Sequence, residues 1–336
     1  MRLRTVSPAS VGWTRRRSGG GFVYLDADGV RLPAEDVLRI KALVIPPAWQ
    51  SVWISPYANG HIQAVGTDAK GRRQYLYHEQ WRLKRDLAKH DRVLLVAAEL
   101  PSARKRVAEA LALPGMPVER ALATAFRLLD LGYFRIGSDS YASENGSFGL
   151  TTLLREHVRR VKGQLEFEFV AKSGVQQQIR IADPGVLASV ETMRRRRDTG
   201  ETLLAYKSKK VWTRISADDV NDYLKDLIGS EVSAKDFRTW HGTVHAAYAL
   251  ATLATDTRPS DRARRRAVAA AMAEVASHLG NTPTVARKSY VDGRLIELFN
   301  EGTTIEKTLL RLEKMPPDDP RRQIALERAV LALLRA

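Results

Sequence analysis

Two kinds of apolar spacing divide the chain. Over roughly the first ninety residues the hydrophobic positions come in short runs broken by Gly, Asp and Pro. Gly21 to Leu32 reads as a hairpin, with Phe22, Tyr24 and Val30 set around an Asp28-Gly29 turn. Val52 to Ile54 and His61 to Val65 read as further short strands. The stretch Gln80 to Asp91 is charged. From Arg92 the pattern changes to long stretches of Ala, Leu, Arg and Glu with helical spacing, as in Ala103 to Leu113 and Val118 to Leu131. This predicts an α+β chain: a small β-rich domain over residues 1–90 and a larger, mainly helical one over 91–336.

One β interruption falls inside the helical part. Leu165, Phe167 and Phe169 alternate with Glu166 and Glu168, and Val175, Ile179 and Ile181 keep the same parity, so Lys172-Ser173-Gly174 sits at a hairpin tip. Further on, Ser233 and Asp236 resemble a capping box. Phe237, Trp240, Val244 and Tyr248 then recur at helical spacing, with Arg238 in the first turn. Another helix places Val268, Met272, Val275 and Leu279 on one face and ends at Gly280, a left-handed cap, with Pro283 just beyond and Asn281 opening the connection. No internal repeat is visible. The runs Arg194 to Arg197 and Arg264 to Arg266 fit a solvated helix face and a phosphate contact equally well.

Charge changes the picture more than composition does. Of 336 residues, 44% are hydrophobic, enough for about two ordinary cores. Lys and Arg number 54 against 38 Asp and Glu, a formal charge of +16, which points to a polyanionic partner such as duplex DNA. There is no cysteine, so disulfides and thiolate metal sites are excluded, and the seven histidines form no recognisable ligand cluster. Met1 to Gly21 is rich in Arg and Gly but lacks the apolar core of a secretory signal, and no apolar run reaches membrane length. These features predict a cytoplasmic, nucleoid-associated protein.

Four segments then carry chemistry in order. Tyr133-Phe134-Arg135-Ile136-Gly137, followed by Glu144 to Thr151, resembles the first catalytic-arginine block of type IB DNA topoisomerases. Phe169 to Gly174 is similar to that family's lysine hairpin, Lys235 to Trp240 to its second arginine block, and Leu279 to Pro283 with Arg287 to Tyr290 to its tyrosine block. Ile45 to Trp49 and Gly60 to Tyr75 resemble the amino-terminal module of the small bacterial and poxvirus branch, so the likeness spans roughly residues 20 to 300. It implies a helical catalytic domain of the tyrosine recombinase and type IB topoisomerase kind with a small β-hairpin element. The amino-terminal module would be a DNA-clamping cap, and the chain a monomer around duplex DNA. It also implies relaxation of positive and negative supercoils through a 3′ phosphotyrosine, with no cofactor, nucleotide or metal.

The residue chemistry fits those roles. A phenol has an ordinary pKa near 10, so Tyr290 as nucleophile needs adjacent positive charge, which Arg135 and Arg238 can supply while their guanidinium forks hold the phosphate oxygens. Lys172, at a hairpin tip, has the reach and the proton of a general acid for the 5′ oxygen. Asn281 is the departure, since many members carry histidine there; its amide can donate a hydrogen bond in the transition state but cannot exchange protons. Lys70, Arg72, Arg73, Gln74, Tyr75 and Tyr77 interleave cations with planar polar groups, as a DNA-facing surface would, although an ordinary exposed hairpin would look the same. Two other classes share much of this pattern. A tyrosine recombinase has the same catalytic arrangement but usually a helical front module, and an inactive DNA-binding scaffold would have no use for Tyr290. The last thirty residues carry no motif.

Overall fold

The computed structural model describes residues 1–229, 231–253, 260–316, 319 and 321–336. It is a mixed α and β chain that divides into two compact units, Met1–Lys89 and His90–Ala336.

The first unit is built on a five-stranded antiparallel sheet in the order β2-β1-β3-β4-β5, formed by β1 (Trp13–Ser18), β2 (Gly21–Leu25), β3 (Gln50–Ile54), β4 (Ile62–Thr67) and β5 (Arg73–Tyr77), with helix α1 (Ala34–Ala42) between β2 and β3. Tyr24, Ile40, Val52, Ile54 and Ala64 make its core, and β4 is buried along almost its whole length. Helix α2 (Glu79–Leu111) begins in this unit and ends in the next.

Two expectations for this region need correction. The Asp28-Gly29 turn forms, with the Asp26 carboxylate accepting from the backbone of Asp28 and Val30, but only a single bridge from Leu25 to Arg31 follows it. The ladder of β2 is instead with β1, across Gly19-Gly20. Strand β1 has no apolar alternation because Arg15 takes a structural place: its guanidinium donates to the carbonyls of Ile45, Pro46 and Trp49 and lies over Phe22. Likewise, the charged stretch from Gln80 to Asp91 is already helix, the solvated start of the 33-residue α2.

The second unit surrounds α7 (Ala234–Leu253), a helix with 15 of its 20 residues buried. A helix buried on all but a narrow strip, where His245, Tyr248 and Thr252 lie, belongs at the centre of a bundle. Around it stand α3 (Val118–Gly132), α6 (Ala217–Ile228), α8 (Asp261–Leu279), α10 (Arg294–Asn300), α11 (Glu306–Leu312) and α12 (Arg321–Arg335). The shorter helices α4 (Asp139–Asn145), α5 (Pro184–Arg194) and α9 (Pro283–Ser289) complete the α-helices among the described residues. A three-stranded antiparallel sheet, β6 (Val158–Val161), β7 (Gln164–Ala171) and β8 (Val175–Ile181), has β7 in the middle, and β9 (Ala205–Ser208) pairs with β10 (Val211–Arg214). The β7–β8 register sets Leu165 opposite Ile181 and Phe167 opposite Ile179, the parity expected from sequence, with Lys172 to Gly174 as the tip.

Two helix-face expectations change here. Tyr248 is 40% exposed, since it borders an open cleft rather than the stripe of Phe237, Trp240 and Val244. Arg196 is buried: the chain folds back around its guanidinium, which donates to the carbonyls of Met193, Gly200, Thr202 and Leu203. A buried arginine tied to four carbonyls is neither a solvated face nor a phosphate ligand. Its neighbours Arg194 and Arg195 pair with Glu191. Among the described residues, no helix is long and apolar enough to cross a membrane, and no group of three His, Asp or Glu side chains is arranged to hold a metal ion.

Candidate active site

Tyr290 is placed by a short helix and a close backbone approach. Thr282 caps α9, its hydroxyl accepting from the Val285 amide, Pro283 starts the helix, and the Tyr290 amide closes it on the Ala286 carbonyl at 3.0 Å. The Tyr290 carbonyl then lies against α7 at Gly242, where a β-carbon would come within 3.0 Å of that oxygen. Thr243 donates its hydroxyl to the same carbonyl at 3.3 Å and accepts from the Asp292 amide at 3.1 Å. Glycine at 242 therefore lets the Tyr290 backbone approach α7 more closely than a side chain would without a shift of a few tenths of an ångström.

Two guanidinium groups meet at this tyrosine. Arg238, in the first turns of α7 and 4% exposed, has its guanidinium carbon 5.0 Å from the Tyr290 ring centroid. It donates to the carbonyls of Tyr133 and, at 2.7 Å, Leu279. Arg135 donates to the Gly280 carbonyl at 3.0 Å and to the Asn281 side-chain oxygen at 2.6 Å. Every acceptor here is neutral, so both cations are oriented without being neutralised. Burial would raise the Tyr290 phenol, but the charge and hydrogen bonding of Arg238, with Arg135 and Lys235 behind it, lower it below its ordinary value. Burial and the neighbouring Arg135 pull Arg238 itself down to about 10.

The arginines reach this point because of the chain around Tyr133. That residue ends α3 in a left-handed conformation (φ 54°), and the carbonyl of this turn is the one Arg238 grips. Phe134 turns inward onto Phe167 and Phe169 of β7, leaving Arg135 to face Asn281. Gly280, the left-handed cap of α8 (φ 58°), is pressed by the Gln177 side chain of β8; a β-carbon at 280 would lie 2.2 Å from its amide nitrogen. The lysine hairpin and the asparagine are thereby seated against each other. Asn281 Nδ2 and Arg238 Nε are buried donors without an acceptor in the protein, as a site for an anion would present.

Lys172 stands apart from this group. Its ammonium is 5.9 Å from the Tyr141 ring centroid, and it shares a cleft of about 190 Å³ with Arg135, Ser138 and Tyr141. Arg135, Arg238, Asn281 and Tyr290 are joined by direct contacts, while of these four only Arg135 lines the cleft that holds the lysine.

Residues 78–315 match the family described as eukaryotic DNA topoisomerase I, catalytic core, and residues 21–68 match the bacterial DNA topoisomerase IB, N-terminal domain. The chain belongs to the type IB DNA topoisomerases. It is 29% identical over 296 residues to the DNA topoisomerase 1B of Acanthamoeba polyphaga mimivirus, covering 86% of this chain and 87% of that one. It is 22% identical over 246 residues to the DNA topoisomerase 1B of Vaccinia virus (strain Copenhagen), covering 72% and 74%. As a type IB topoisomerase it is an isomerase with DNA as its substrate.

In the topoisomerase's first unit, the residues expected to face DNA separate into two groups. Arg73, Tyr75 and Tyr77 lie on the exposed face of β5, Tyr75 and Tyr77 stacked at 5.9 Å and Arg73 5.8 Å from the Tyr75 ring centroid. Lys70 is exposed at the preceding turn, whereas Arg72 and Gln74 both bind the Asp68 carboxylate. That contact, led by Arg72, holds Asp68 well below the usual carboxylate range. Sequence reasoning missed Lys235, Gly242 and Thr243. Lys235 is visible in hindsight as the cation one turn from Arg238, but the roles of Gly242 and Thr243 come from a helix pairing that no local pattern encodes.

Proposed function

We propose that this topoisomerase cleaves one DNA strand with Tyr290 as nucleophile, Arg135, Arg238 and Asn281 on the reacting phosphate, and Lys172 as general acid. The observation that carries the reading is the Tyr290 phenol lowered by two guanidinium groups that neutral carbonyls aim but leave charged. The Tyr290 phenolate attacks phosphorus, its proton having passed to solvent. The bond to the 5′ oxygen breaks, and that oxygen leaves as an alcohol with the proton of Lys172, giving a 3′ phosphotyrosine. Negative charge on the two non-bridging oxygens is met by the guanidinium forks and the Asn281 amide. While the strand is open, the duplex rotates about the intact strand and sheds supercoils of either sign. The 5′ hydroxyl then attacks back, so the number of phosphodiester bonds is unchanged and superhelical strain supplies the free-energy drop.

Further parts of the reading follow from this chemistry. One chain carries all five side chains, so a monomer suffices. The cations already present on the phosphate make a metal ion or nucleotide cofactor unnecessary. The exposed face of β5, with Arg73, Tyr75 and Tyr77, gives the first unit a DNA-facing surface, to which Lys70 adds charge and Arg72 and Gln74 contribute by fixing the turn at Asp68. We assign the second unit to the tyrosine recombinase kind of catalytic fold and the enzyme to the nucleoid. The test is relaxation of supercoiled plasmid in EDTA without ATP, with detergent trapping of covalent DNA. Relaxation by the parent and none by Tyr290→Phe is expected; relaxation surviving that substitution removes Tyr290 as nucleophile, and none from either protein removes the metal-free mechanism.

A further inference from the structure

Behind the two arginines lies a second polar cluster that the cleavage chemistry does not use. Asp130, fully buried in the last turn of α3, accepts from Arg104 Nε at 2.8 Å and Nη2 at 2.7 Å, from Arg127 at 2.8 Å and from His241 at 3.1 Å. Arg104 makes a second fork to Glu327 on α12, at 2.6 and 2.9 Å, and Glu327 is 6% exposed. Paired forks of this kind fix both position and orientation, and breaking one buried partner leaves the others uncompensated.

The cluster ends at the catalytic group. His241 is one turn beyond Arg238 on α7, and its ring lies 4.7 Å from the Tyr133 ring. Asp130 is three residues before Tyr133, the residue whose left-handed turn presents its carbonyl to Arg238. A non-glycine residue in such a conformation is held by its surroundings, and here these are His241 with the Asp130 cluster on one side and His245 on the other, its Nε2 3.1 Å from the Tyr133 hydroxyl and its ring edge-on at 5.5 Å. Helix α12 lies beyond residues 78–315, the stretch matched by the catalytic-core family.

We propose that Glu327 is a positioning residue for strand cleavage: through Arg104, Asp130 and His241 it holds the Tyr133 turn, and through that turn the Arg238 guanidinium. The proposal rests on the assignment of Arg238 to the reacting phosphate. It makes the last helix part of the active-site scaffold.

The test compares Glu327→Gln with the parent in single-turnover formation of covalent DNA, beside DNA affinity and melting temperature. Expected is a fall in cleavage rate of up to about 10²-fold, the scale of an ångström-sized misplacement, with DNA affinity unchanged. In an Arg238→Ala background the same substitution should add almost nothing, because its route is already cut. A substrate with sulfur in place of the 5′ bridging oxygen should not restore the Gln variant, since that leaving group bypasses only the general acid. Parental cleavage by Glu327→Gln, or full additivity with Arg238→Ala, overturns the proposal. Should the Gln variant also lose DNA binding, Glu327→Asp decides: slowed cleavage with binding intact upholds the proposal, and parental cleavage or loss of both together overturns it. Tyr290→Phe is run alongside; an adduct from that variant refutes the active-site assignment, whereas an inert Tyr290→Phe with a fully active Glu327→Gln refutes only the positioning role.

Discussion

Replacing Arg238 with methionine separates what the guanidinium does for folding from what it does for the reaction. Burial, with Arg135 nearby, pulls the group from an ordinary 12.5 to about 10. The folded chain therefore holds that proton less tightly than the unfolded chain, and the charge opposes folding at every pH below about 10, by roughly 3 kcal/mol. Removing it recovers that energy but strands the carbonyls of Tyr133 and Leu279, at about 1–3 kcal/mol each. The two effects partly cancel, leaving between about 1 kcal/mol of gain and about 3 kcal/mol of loss, so the melting temperature should lie between about 4 °C above and about 12 °C below the parent, given about 2–4 °C per kcal/mol for a domain of this size. Cleavage should not stay close. Loss of one preorganised donor to the transition-state charge slows the step by about 10²–10³. The Tyr290 phenol, freed of its main cation, should also ionise at higher pH, moving the rising limb of the pH–rate profile upward. The assay is single-turnover covalent capture of a labelled duplex across neutral and alkaline pH, beside calorimetry of the free protein. A cleavage rate within about tenfold of the parent, or an unmoved pH limb, would refute the reasoning.

Lys172→Ala should slow cleavage of an ordinary strand by about 10²–10⁴ yet cleave a strand with a 5′ bridging sulfur at near-parental rate, because a thiolate leaves without a proton; no recovery with sulfur would show that Lys172 is not the acid. Asn281→Ala should cleave about tenfold or more slowly for want of one hydrogen bond to a charged oxygen. Asn281→His, which keeps a donor but replaces the amide oxygen that Arg135 binds with ring nitrogens in another place, should fall between alanine and the parent, and alanine cleaving at the parental rate would rule the asparagine out. Burial, with His278 and His241 beside it, pushes His245 down to about 4 from 6.5. The neutral ring is therefore no handicap above pH 6.5, and stability is lost as pH falls from there toward about 4, reaching roughly 2 kcal/mol near pH 5. Calorimetry of His245→Gln should show a shallower acid decline than the parent, and equal slopes would contradict this.

The parts that were legible in the sequence are those where one side chain in two or four meets a single core. The parity of Leu165, Phe167 and Ile179 fixed the hairpin tip, and Val268, Met272, Val275 and Leu279 are all buried on the face their spacing marked. Strand β1 was hidden because an inward Arg15 satisfied by three carbonyls looks polar, and the start of α2 because a solvated helix has no apolar stripe to read. Around the candidate site, Tyr290, Arg135 and Arg238 lie within motifs that a reader can recognise. The carbonyls that aim the arginines belong to Tyr133, Leu279 and Gly280, and backbone groups leave no trace in a residue pattern.

The seating of Gln177 on Gly280 carries a lesson for building hybrids of these enzymes. The hairpin that bears Lys172 and the helix end that bears Asn281 are more than a hundred positions apart in sequence, yet they touch at one glycine whose left-handed backbone and missing β-carbon leave room for the Gln177 amide. A donor hairpin with a bulkier residue at 177 would push that helix end, and with it the carbonyl that orients Arg135. The two segments therefore have to be exchanged as a matched pair, and shuffling either one alone should yield chains that fold and bind DNA but cut it poorly.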